Sequence, residues 1–337
     1  MIKKTIHIGP AYSGGMGTVI QGYVRLFGLP KDNVWNSYNE GFVKSLPYLI
    51  AILYKILTKK QKDIICYHIH LAEKGSIIRK FIICLCLKLR NKNFVIHLHG
   101  GEFQDSYTKE KLIRVLVKKM IKLSSAVICI TDNMKNFLEK ENLKCRFFVI
   151  PNFCETIAEK PVNLERHKEM IKIIYCGKFI ESKGILDLIN AFQKATFETH
   201  TVLHLFGNGI LPKINNKNIE VKGWVEHDEY IKNIQNYDFL VLPSKQETFG
   251  LAFVEAMGFG LPVIGTFGPA IPEIVKNDET GILIEFGNVE QLTCALEKLA
   301  NNRKLRVNLG KNAWEDVKER FTPEIVLEKL EDMYSKI

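Results

Sequence analysis

The chain has 337 residues and a formal net charge of +10, and 46% of its residues are hydrophobic. This length predicts two domains, and the hydrophobic fraction is sufficient for two cores. The sequence contains no run of 18 or more apolar residues, which argues against a transmembrane helix, and the apolar run in Met1–Gly9 is too short for a signal peptide. We therefore expect a cytosolic protein.

Charge is divided unevenly between the two halves of the chain. Residues 1–155 carry 25 Lys and Arg against 11 Asp and Glu, a net charge of +14, whereas residues 156–337 carry 22 against 26, a net charge of −4. A basic half suggests that the first domain meets an anionic partner. The eight cysteines form no Cys-x-x-Cys pair, so we expect free thiols, mostly buried, rather than a metal or disulfide framework.

Strands alternate with helices through the first half of the chain. Apolar runs predict strands at residues 4–9, 63–69, 94–98, 125–130 and 147–150, and helices at 18–29, 43–57, 74–89, 109–123 and 132–140. This alternation predicts a parallel, doubly wound α/β sheet. Residues 153–169 are polar and contain Pro161, so we expect them to form a linker.

A glycine-rich turn, PAYSGGMG at residues 10–17, follows the first predicted strand. It contains Gly14, Gly15 and Gly17, but it does not satisfy Gly-x-Gly-x-x-Gly and no suitably placed acid follows it. By itself the turn is consistent with an ordinary strand-to-helix connection as well as with a ligand-binding loop.

Four histidines occupy two predicted strands. His68 and His97 lie within apolar runs, and we interpret them as structural residues. His99 ends the strand in FVIHLHGGEF and precedes two glycines. Because ligands of doubly wound sheets bind beyond the carboxyl ends of the strands, the His99 imidazole is a candidate to hydrogen-bond a substrate. His70 also ends a strand and is kept as a second candidate on the same grounds.

The second half of the chain repeats the alternation. We predict strands at residues 172–176, 202–206, 219–223 and 239–242, and helices at 229–237, 250–257, 289–300, 303–319 and 325–337, the last capped by Thr322 with Pro323 at its first position. Lys178 and Lys183 flank the turn after the first of these strands. Two such lysines are usually solvated charges, and that alternative stays open on the residues alone.

The most informative stretch is FLVLPSKQETFGLAFVEAMGFGLPVIGTFGPAIPEIVKNDETGIL, residues 239–283. Glu255 is the one charge on a helix that is apolar almost all round, and a buried carboxylate is costly unless groups donate hydrogen bonds to it. Glu247 lies in the loop before this helix, whose start at Gly250 suits a phosphate. The alternative is that a core Arg or Lys holds Glu255 and that Glu247 is a solvated loop charge.

Glu247-x7-Glu255 within PSxxETFGLAFVEAMGFGLPVI resembles the signature of the family-4 glycosyltransferases, which are retaining enzymes of the GT-B fold. The segment GPAIPEIV at residues 268–275, followed by Thr280-Gly281, resembles the next block of that family. The resemblance implies two Rossmann-like, doubly wound parallel-sheet domains that face each other across a cleft. They would span residues 1–155 for the acceptor and 170–320 for the nucleotide sugar, with the helix at 321–337 crossing back to the first domain.

The resemblance also implies roles for individual residues. Lys178 and Lys183 would neutralise the nucleotide diphosphate, although the family usually has Arg at position 178, and lysine keeps the charge but loses the bidentate fork. Glu255 would accept the ribose hydroxyls and Glu247 would orient the donor sugar. His99 would reach the donor sugar and the acceptor. Further positions that would approach the ligands are Gly14, Gly15, Gly17, Gly177, Gly207, Trp224, Val225, Phe249, Gly250 and Leu251.

These expectations combine into one main hypothesis, a retaining glycosyltransferase that moves a sugar from a nucleotide sugar, most simply a UDP-sugar, to a hydroxyl of a lipid-linked or capsule-type glycan. No Asp-x-Asp pair occurs, so we expect neither a metal nor another cofactor, and the lysines and helix end would stabilise the leaving diphosphate. We expect no nucleic-acid partner. The alternatives are an epimerase-like or phosphorylase-like use of the same fold, and a non-catalytic binding subunit, which the intact glutamates and lysines disfavour.

Basic residues cluster on three predicted helices of the first half. If these faces meet an anionic leaflet, the protein should lie peripherally on the inner face of the membrane, since each Lys or Arg contributes about 1 kcal/mol there. The alternative is that they are solvated faces of helices packed on a sheet. The residues are Lys44, Lys55, Lys59, Lys60 and Lys62; Lys74, Arg79, Lys80, Lys88, Arg90 and Lys92; and Lys109, Lys111, Arg114, Lys118, Lys119 and Lys122.

Overall fold

The structure is a computed structural model, and it describes residues 1–11, 14–39, 41, 43–58, 63–72, 75–100, 103–162 and 170–337. The chain divides into two compact units. The first consists of Met1–Phe153 together with Pro323–Ile337, and the second of Cys154–Thr322. The first unit is therefore discontinuous in sequence. Within the described residues, no helix is long and apolar enough to cross a membrane.

Strands and helices alternate in the first unit, as the sequence predicts. The strands are β1 (Thr5–Gly9), β2 (Val34–Asn36), β3 (Cys66–Leu71), β4 (Phe94–Leu98), β5 (Ala126–Cys129) and β6 (Phe147–Val149). The helices up to Phe153 are α1 (Gly14–Leu26), α2 (Leu46–Thr58), α3 (Gly75–Leu89), α4 (Phe103–Lys109), α5 (Lys111–Leu123) and α6 (Asp132–Glu139).

The second unit follows the same pattern. Its strands are β7 (Met170–Cys176), β8 (His200–Phe206), β9 (Ile219–Gly223), β10 (Phe239–Val241), β11 (Val263–Thr266) and β12 (Gly281–Ile284). Its helices are α7 (Ile185–Lys194), α8 (His227–Ile234), α9 (Leu251–Gly258), α10 (Ile271–Ile274), α11 (Val289–Asn301) and α12 (Arg303–Arg320). The helix after them, α13 (Pro323–Ser335), belongs to the first unit.

Each unit is built on one six-stranded parallel sheet, which confirms the predicted doubly wound α/β class. The strand orders are β2-β1-β3-β4-β5-β6 and β12-β11-β10-β7-β8-β9. Strands β1, β3, β4 and β5 are buried at every position, as expected for parallel strands that are covered on both faces. The strand order reverses between β1 and β3 in the first sheet and between β7 and β10 in the second. These are the points at which doubly wound sheets bind ligands.

Several predicted elements differ from the structure. The glycines at 14, 15 and 17 do not form a turn but the first turn of α1, because helix propensity is a weak preference and the burial of Val19, Ile20 and Tyr23 favours the helix. The short strands β2 and β12 were not predicted. Residues 154–162, expected as linker, belong to the second unit, where Trp314 Nε1 donates to the Ala158 carbonyl at 2.8 Å.

The basic helices of the first unit are α2, α3 and α5, and α3 packs against both of the others. Two of the cations assigned to these basic faces, Arg79 and Lys80, are buried, with exposed fractions of 5% and 1%, and so cannot contribute to a surface. Burial lowers the pKa of Lys80 to about 7. Lys118 forms an ion pair with Glu141 at 2.6 Å. Four of the basic residues assigned to these helices lie outside the described residues: Lys59, Lys60, Lys62 and Lys74.

A face of histidines runs across the centre of the first sheet, and all five of its members are buried. His7 of β1 pairs in register with His68 of β3, and His70 of β3 pairs with His97 of β4. His99 follows β4 directly. The imidazoles hydrogen-bond one another at 2.9–3.0 Å through His7–His70, His70–His99 and His68–His97 contacts.

Helix α13 completes this face from the far end of the sequence. The Tyr334 hydroxyl lies 2.5 Å from His68 Nδ1. Residues 323–337 make two further contacts with the rest of the first unit. The amino group of Met1 pairs with Glu331, and Arg146 donates to the carbonyl of Lys336. Burial holds the pKa of His7 and of His99 at about 3, and burial together with the neighbouring imidazoles holds those of His68, His70 and His97 well below 6.5.

We predict that the first unit loses stability steeply below about pH 6.5. The unfolded chain then binds protons at five histidines that stay neutral in the folded unit, and each contributes up to about 1.4 kcal/mol per pH unit. Above this pH the histidines are neutral in both states, so their contribution is constant. Urea unfolding at pH 7.5 and 5.5, followed by the fluorescence of Trp35 after Trp224→Phe and Trp314→Phe, measures the change.

The second unit provides the control, through Trp314 in a variant with Trp35→Phe and Trp224→Phe. Its unfolding midpoint should fall less between the two pH values, because it lacks such a cluster among its described residues. Equal shifts in the two units would contradict the assignment of the acid sensitivity to the histidine face.

Candidate functional site

Two predicted site residues meet where the strand order of the second sheet reverses. Lys183 lies in the turn after β7 and Glu247 lies in the loop after β10, and these strands are neighbours. The Lys183 Nζ is 2.7 Å from Glu247 Oε1. The side chains are 26% and 16% exposed, so the pair is partly accessible to solvent. A cation and a carboxylate are thereby held together at the carboxyl edge of the sheet.

Close main-chain contact fixes the two loops against each other. Gly184 adopts φ +64°, and a Cβ atom there would lie 2.2 Å from the Pro243 carbonyl oxygen. Only glycine fits, both for its backbone conformation and for the space. The N–H of Lys245 donates to the Ser182 carbonyl at 2.9 Å. The turn that carries Lys183 and the loop that carries Glu247 are therefore held as one piece.

The loop after β11 joins the same assembly. Thr266 Oγ1 donates to the Ser244 carbonyl at 2.6 Å and accepts from the N–H of Gly268 at 3.2 Å. A Cβ atom on Gly268 would lie 2.4 Å from the Lys245 carbonyl oxygen. The turn after β7 and the loop after β11 thus both contact the loop that carries Glu247, which limits the positions that its carboxylate can take.

Helix α9 begins at the end of the loop that carries Glu247. Gly250 caps it with φ +85°, and no side chain in the described part of the chain caps its first turn. Main-chain N–H groups and the positive end of the helix dipole are suited to an anion at such a start. The ring of Phe249 is buried against Phe321, with centroids 5.6 Å apart, so only its main chain is available to a ligand. Leu251 is half-buried at the first helical position.

Glu255 lies inside α9 and is 6% exposed. Its partner is not the Arg or Lys that the alternative interpretation supposed but His227, at the start of α8, whose Nε2 lies 2.7 Å from Glu255 Oε1. This hydrogen bond, reinforced by the charge of Glu255, raises the pKa of His227 although its partial burial opposes the shift. A carboxylate has two oxygens, so Oε2 retains capacity to accept further hydrogen bonds.

The remaining predicted residues of the second unit lie at the ends of β7, β8 and β9. The Tyr175 hydroxyl donates to the carbonyl of Lys178 at 2.8 Å, while the Lys178 side chain is exposed. A Cβ atom on Gly207 would lie 1.8 Å from the Gly177 carbonyl oxygen, so the two turns touch through their main chains. Trp224 is 65% exposed and Val225 is half-buried beside it.

The other predicted residues belong to the first unit. Gly14, Gly15 and Gly17 form the first turn of α1, where a Cβ atom on Gly14 would meet no atom within 4 Å. His99 is 6% exposed, and its Nε2 lies 2.9 Å from His70 Nδ1. Within the first sheet, His70 and His99 are therefore one connected group rather than two separate candidates.

Among the described residues, two groups of three histidines could offer a metal three nitrogen ligands. They are His7, His68 and His70, and His70, His97 and His99, with the nitrogens of each group within 4.8 Å of one another. Imidazole nitrogens suit zinc and copper. The ring-to-ring distances of 2.9–3.0 Å are those of hydrogen bonds, which such ions would have to replace. That no metal is required remains a prediction.

Sequence reasoning missed two features of these sites. His227 was not selected, because it stands alone in a polar loop and its partner is 28 residues away in the sequence. His7 was treated as part of an ordinary first strand. The His-x-His spacing in both β3 and β4 carried a signal for the histidine face, since residues two apart on a strand share one side.

Two family models match this chain and together span most of it. The model described as glycosyltransferase family 4 matches residues 24–156, and the model described as glycosyl transferases group 1 matches residues 156–316. The boundary between the two matches lies close to the boundary between the two structural units.

Curated relatives carry related descriptions. An uncharacterized glycosyltransferase of Methanocaldococcus jannaschii, MJ1178, is 33% identical over 245 residues, which are 69% of this chain and 66% of that protein. The UDP-Gal:alpha-D-GlcNAc-diphosphoundecaprenol alpha-1,3-galactosyltransferase of Escherichia coli is 26% identical over 328 residues, which are 88% of this chain and 81% of that protein.

A solved structure extends the likeness to the whole fold. The Anabaena protein Alr3699/HepE, in complex with UDP and glucose, superposes with a TM-score of 0.74 at 13% identity, and the match covers 99% of this chain and 100% of that one. The architecture of two parallel six-stranded sheets is the predicted GT-B fold.

Proposed function

Because this chain belongs to the family-4 glycosyltransferases, we propose that it moves a sugar from a UDP-sugar to a hydroxyl of a lipid-linked or capsule-type glycan, with retention of the anomeric configuration. The choice of UDP is supported by the names of the Escherichia coli relative and the Anabaena structure. The choice of acceptor class is supported by the first of these, which acts on a diphosphoundecaprenol-linked sugar by its name.

The observation that carries the proposal is the contact between Lys183 and Glu247 at the reversal of the strand order. We infer that the diphosphate of the donor takes the Lys183 ammonium from Glu247. The Glu247 carboxylate is then available to accept hydrogen bonds from the hydroxyls of the transferring sugar. When Lys183 exchanges Glu247 for the diphosphate, Lys183 binds the diphosphate and Glu247 becomes free to bind the sugar.

The chemical step places negative charge on the leaving diphosphate. Lys183, the exposed Lys178 and the start of α9 are the groups of this chain that would stabilise it, and preorganised charge of this kind is usually the largest catalytic contribution. The interlocked loops after β7, β10 and β11 favour preorganisation, because they hold Lys183 and Glu247 without requiring rearrangement during the reaction. Neither glutamate is assigned as a covalent nucleophile.

Glu255 is assigned to the ribose. Its Oε1 accepts from His227, which orients the carboxylate and leaves Oε2 for the ribose hydroxyls. We therefore propose that His227 is a positioning residue of the donor site, a role that the sequence did not suggest.

We predict that Glu255→Ala weakens UDP binding by about 1.5–3 kcal/mol, the usual contribution of a hydrogen bond to a charged group. Isothermal titration calorimetry with UDP measures the change. Glu285→Ala, at an exposed glutamate of the same unit, is the matched control and should bind UDP normally. Unchanged affinity in a folded Glu255→Ala protein would make Glu255 a structural residue.

The product should keep the anomeric configuration of the donor, and EDTA should not abolish turnover. We suggest thermal-shift screening against a panel of nucleotide sugars, followed by proton NMR of the product formed with a prenyl-diphosphate-linked acceptor. An inverted anomer would contradict retention. Release of free UDP at the same rate without any acceptor would instead favour an epimerase-like or hydrolase-like activity.

We also propose that the layer α2–α3–α5 rests on an anionic membrane surface, where a lipid-linked acceptor is presented. Large apolar side chains project from all three helices: Leu46, Ile50, Tyr54, Leu57, Ile82, Leu85, Leu89, Leu112 and Val115 are each at least 39% exposed. Lys111, Lys119 and Lys122 are exposed beside them on α5. Apolar side chains interleaved with lysines are typical of surfaces that bind at a lipid interface.

We predict that the protein cosediments with liposomes containing anionic lipid and that high salt weakens this binding. The double variant Ile50→Ser, Tyr54→Ser should abolish the binding that remains at high salt. Salt screens the lysines, whereas the serines remove apolar contacts. Leu186→Ser, at an exposed leucine of the second unit, is the control. Protein that stays in the supernatant at low salt would make these faces solvated surfaces and would favour a soluble acceptor.

A further inference from the structure

The geometry points to a fixed tautomer of His99: we propose that a hydrogen-bonded chain beginning at Thr5 and passing through His7 and His70 protonates His99 at Nε2 and leaves Nδ1 as an acceptor. Thr5, His7 and His70 are then positioning residues for a group at the ligand edge of the first sheet. The inference rests on the proposed function for its catalytic consequence, but the assignment of the protons does not.

Thr5 sets the direction in which the hydrogen bonds of this series are donated. Its hydroxyl oxygen lies 2.6 Å from the carbonyl oxygen of Ile2, and a carbonyl can only accept a hydrogen bond. The single hydroxyl proton of Thr5 is therefore used in that bond. His7 Nε2 lies 3.0 Å from the same hydroxyl oxygen, so the proton of this second contact belongs to His7.

The remaining protons follow in sequence. A neutral imidazole that carries its proton on Nε2 has a bare Nδ1. The bare Nδ1 of His7 is 3.0 Å from His70 Nε2, which must then donate. The bare Nδ1 of His70 is 2.9 Å from His99 Nε2, which must donate in its turn. Each histidine of the chain is consequently the Nε2–H tautomer.

The three rings must be neutral for these tautomers to exist, and their packing keeps them neutral. Each of the three imidazoles is buried, and burial disfavours the charged form, which lowers the pKa of all three histidines. The neighbouring pair His68 and His97 hydrogen-bonds Tyr334 and each other, and Tyr334 in turn hydrogen-bonds Thr5. This contact is compatible with the assignment, because a hydroxyl oxygen that has donated its proton can accept from both His7 and Tyr334.

The consequence concerns what His99 can recognise. A bare Nδ1 accepts a hydrogen bond and cannot donate one, so His99 fits a hydroxyl of the sugar or of the acceptor and does not fit a phosphate or carbonyl oxygen. A histidine in the other tautomer would have the opposite preference. The side chain that selects between the two tautomers is Thr5, which lies two strands away from His99 in the order β1, β3, β4.

The test is the protonation of the histidine rings in the full chain. With 15N-labelled histidine, two-bond correlations between ring nitrogens and ring protons distinguish the two tautomers at neutral pH, and His→Gln variants assign the signals. We expect the Nε2–H pattern for His7, His70 and His99. An Nδ1–H pattern at His99 would overturn the proposal. So would a zinc or copper ion that is found by metal analysis and that these signals show to be bound to Nδ1 of His99.

Thr5→Val keeps the shape of the side chain but removes the hydroxyl that sets the direction, and Thr5→Ser restores it. In Thr5→Val, His99 should show a mixture of the two tautomers. The kcat should fall about two- to tenfold, because the hydrogen bond that favours one tautomer over the other is lost. The affinity for UDP should stay unchanged. Thr5→Ser should match the parent protein in both measurements.

The outcomes separate this inference from the proposed function. A parent protein that transfers no sugar but shows the Nε2–H pattern would remove the function and leave the tautomer assignment standing. A parent protein that transfers sugar, with a folded Thr5→Val variant whose tautomers and kcat are both unchanged, would overturn the positioning role of Thr5.

Discussion

The site proposed for the donor depends on main-chain contact between loops at the carboxyl edge of the second sheet. Gly184 and Gly268 allow the backbone of the loop 243–250 to approach its neighbours so closely that any side chain would collide with a carbonyl oxygen. A Cβ atom at these positions would therefore move the loop that carries Glu247, not merely fill a space. The positions of Glu247 and Lys183, and so the chemistry assigned to them, depend on these two glycines.

The two sheets carry polar side chains near the carboxyl ends of their strands in different ways. The second sheet presents charged side chains on loops, where partial exposure to water keeps an ion pair affordable. The first sheet carries its polar groups inside, as neutral imidazoles that satisfy one another, because an unpaired polar group in a buried position would be costly. In the Lys183–Glu247 pair the donor is fixed by the residue types, whereas a neutral imidazole can carry its proton on either nitrogen, so the direction of the histidine network is set by its neighbours.

Much of this architecture was predictable from the sequence. The alternation of apolar strands with helices gave the fold class, and the stretch around Glu247 and Glu255 gave the family. What sequence reasoning did not provide was pairing between distant segments. His227 meets Glu255, and Lys183 meets Glu247, only because parallel strands bring the ends of separate loops to one edge. The burial of Arg79 and Lys80 was missed for a related reason: a basic residue on an amphipathic helix is normally solvated, and only tertiary packing reverses that.

The discontinuity of the first unit has a consequence for biosynthesis. Residues 154–322 form a contiguous unit that can complete its contacts as soon as it emerges from the ribosome, whereas the first unit waits for residues 323–337, which bring Tyr334 to His68. At a translation rate of about 5–20 residues per second, the nascent histidine face, already covered in part by Tyr23, lacks Tyr334 for roughly ten to thirty seconds. The unit that is synthesised later is thus completed earlier, and the amino-terminal unit is completed last.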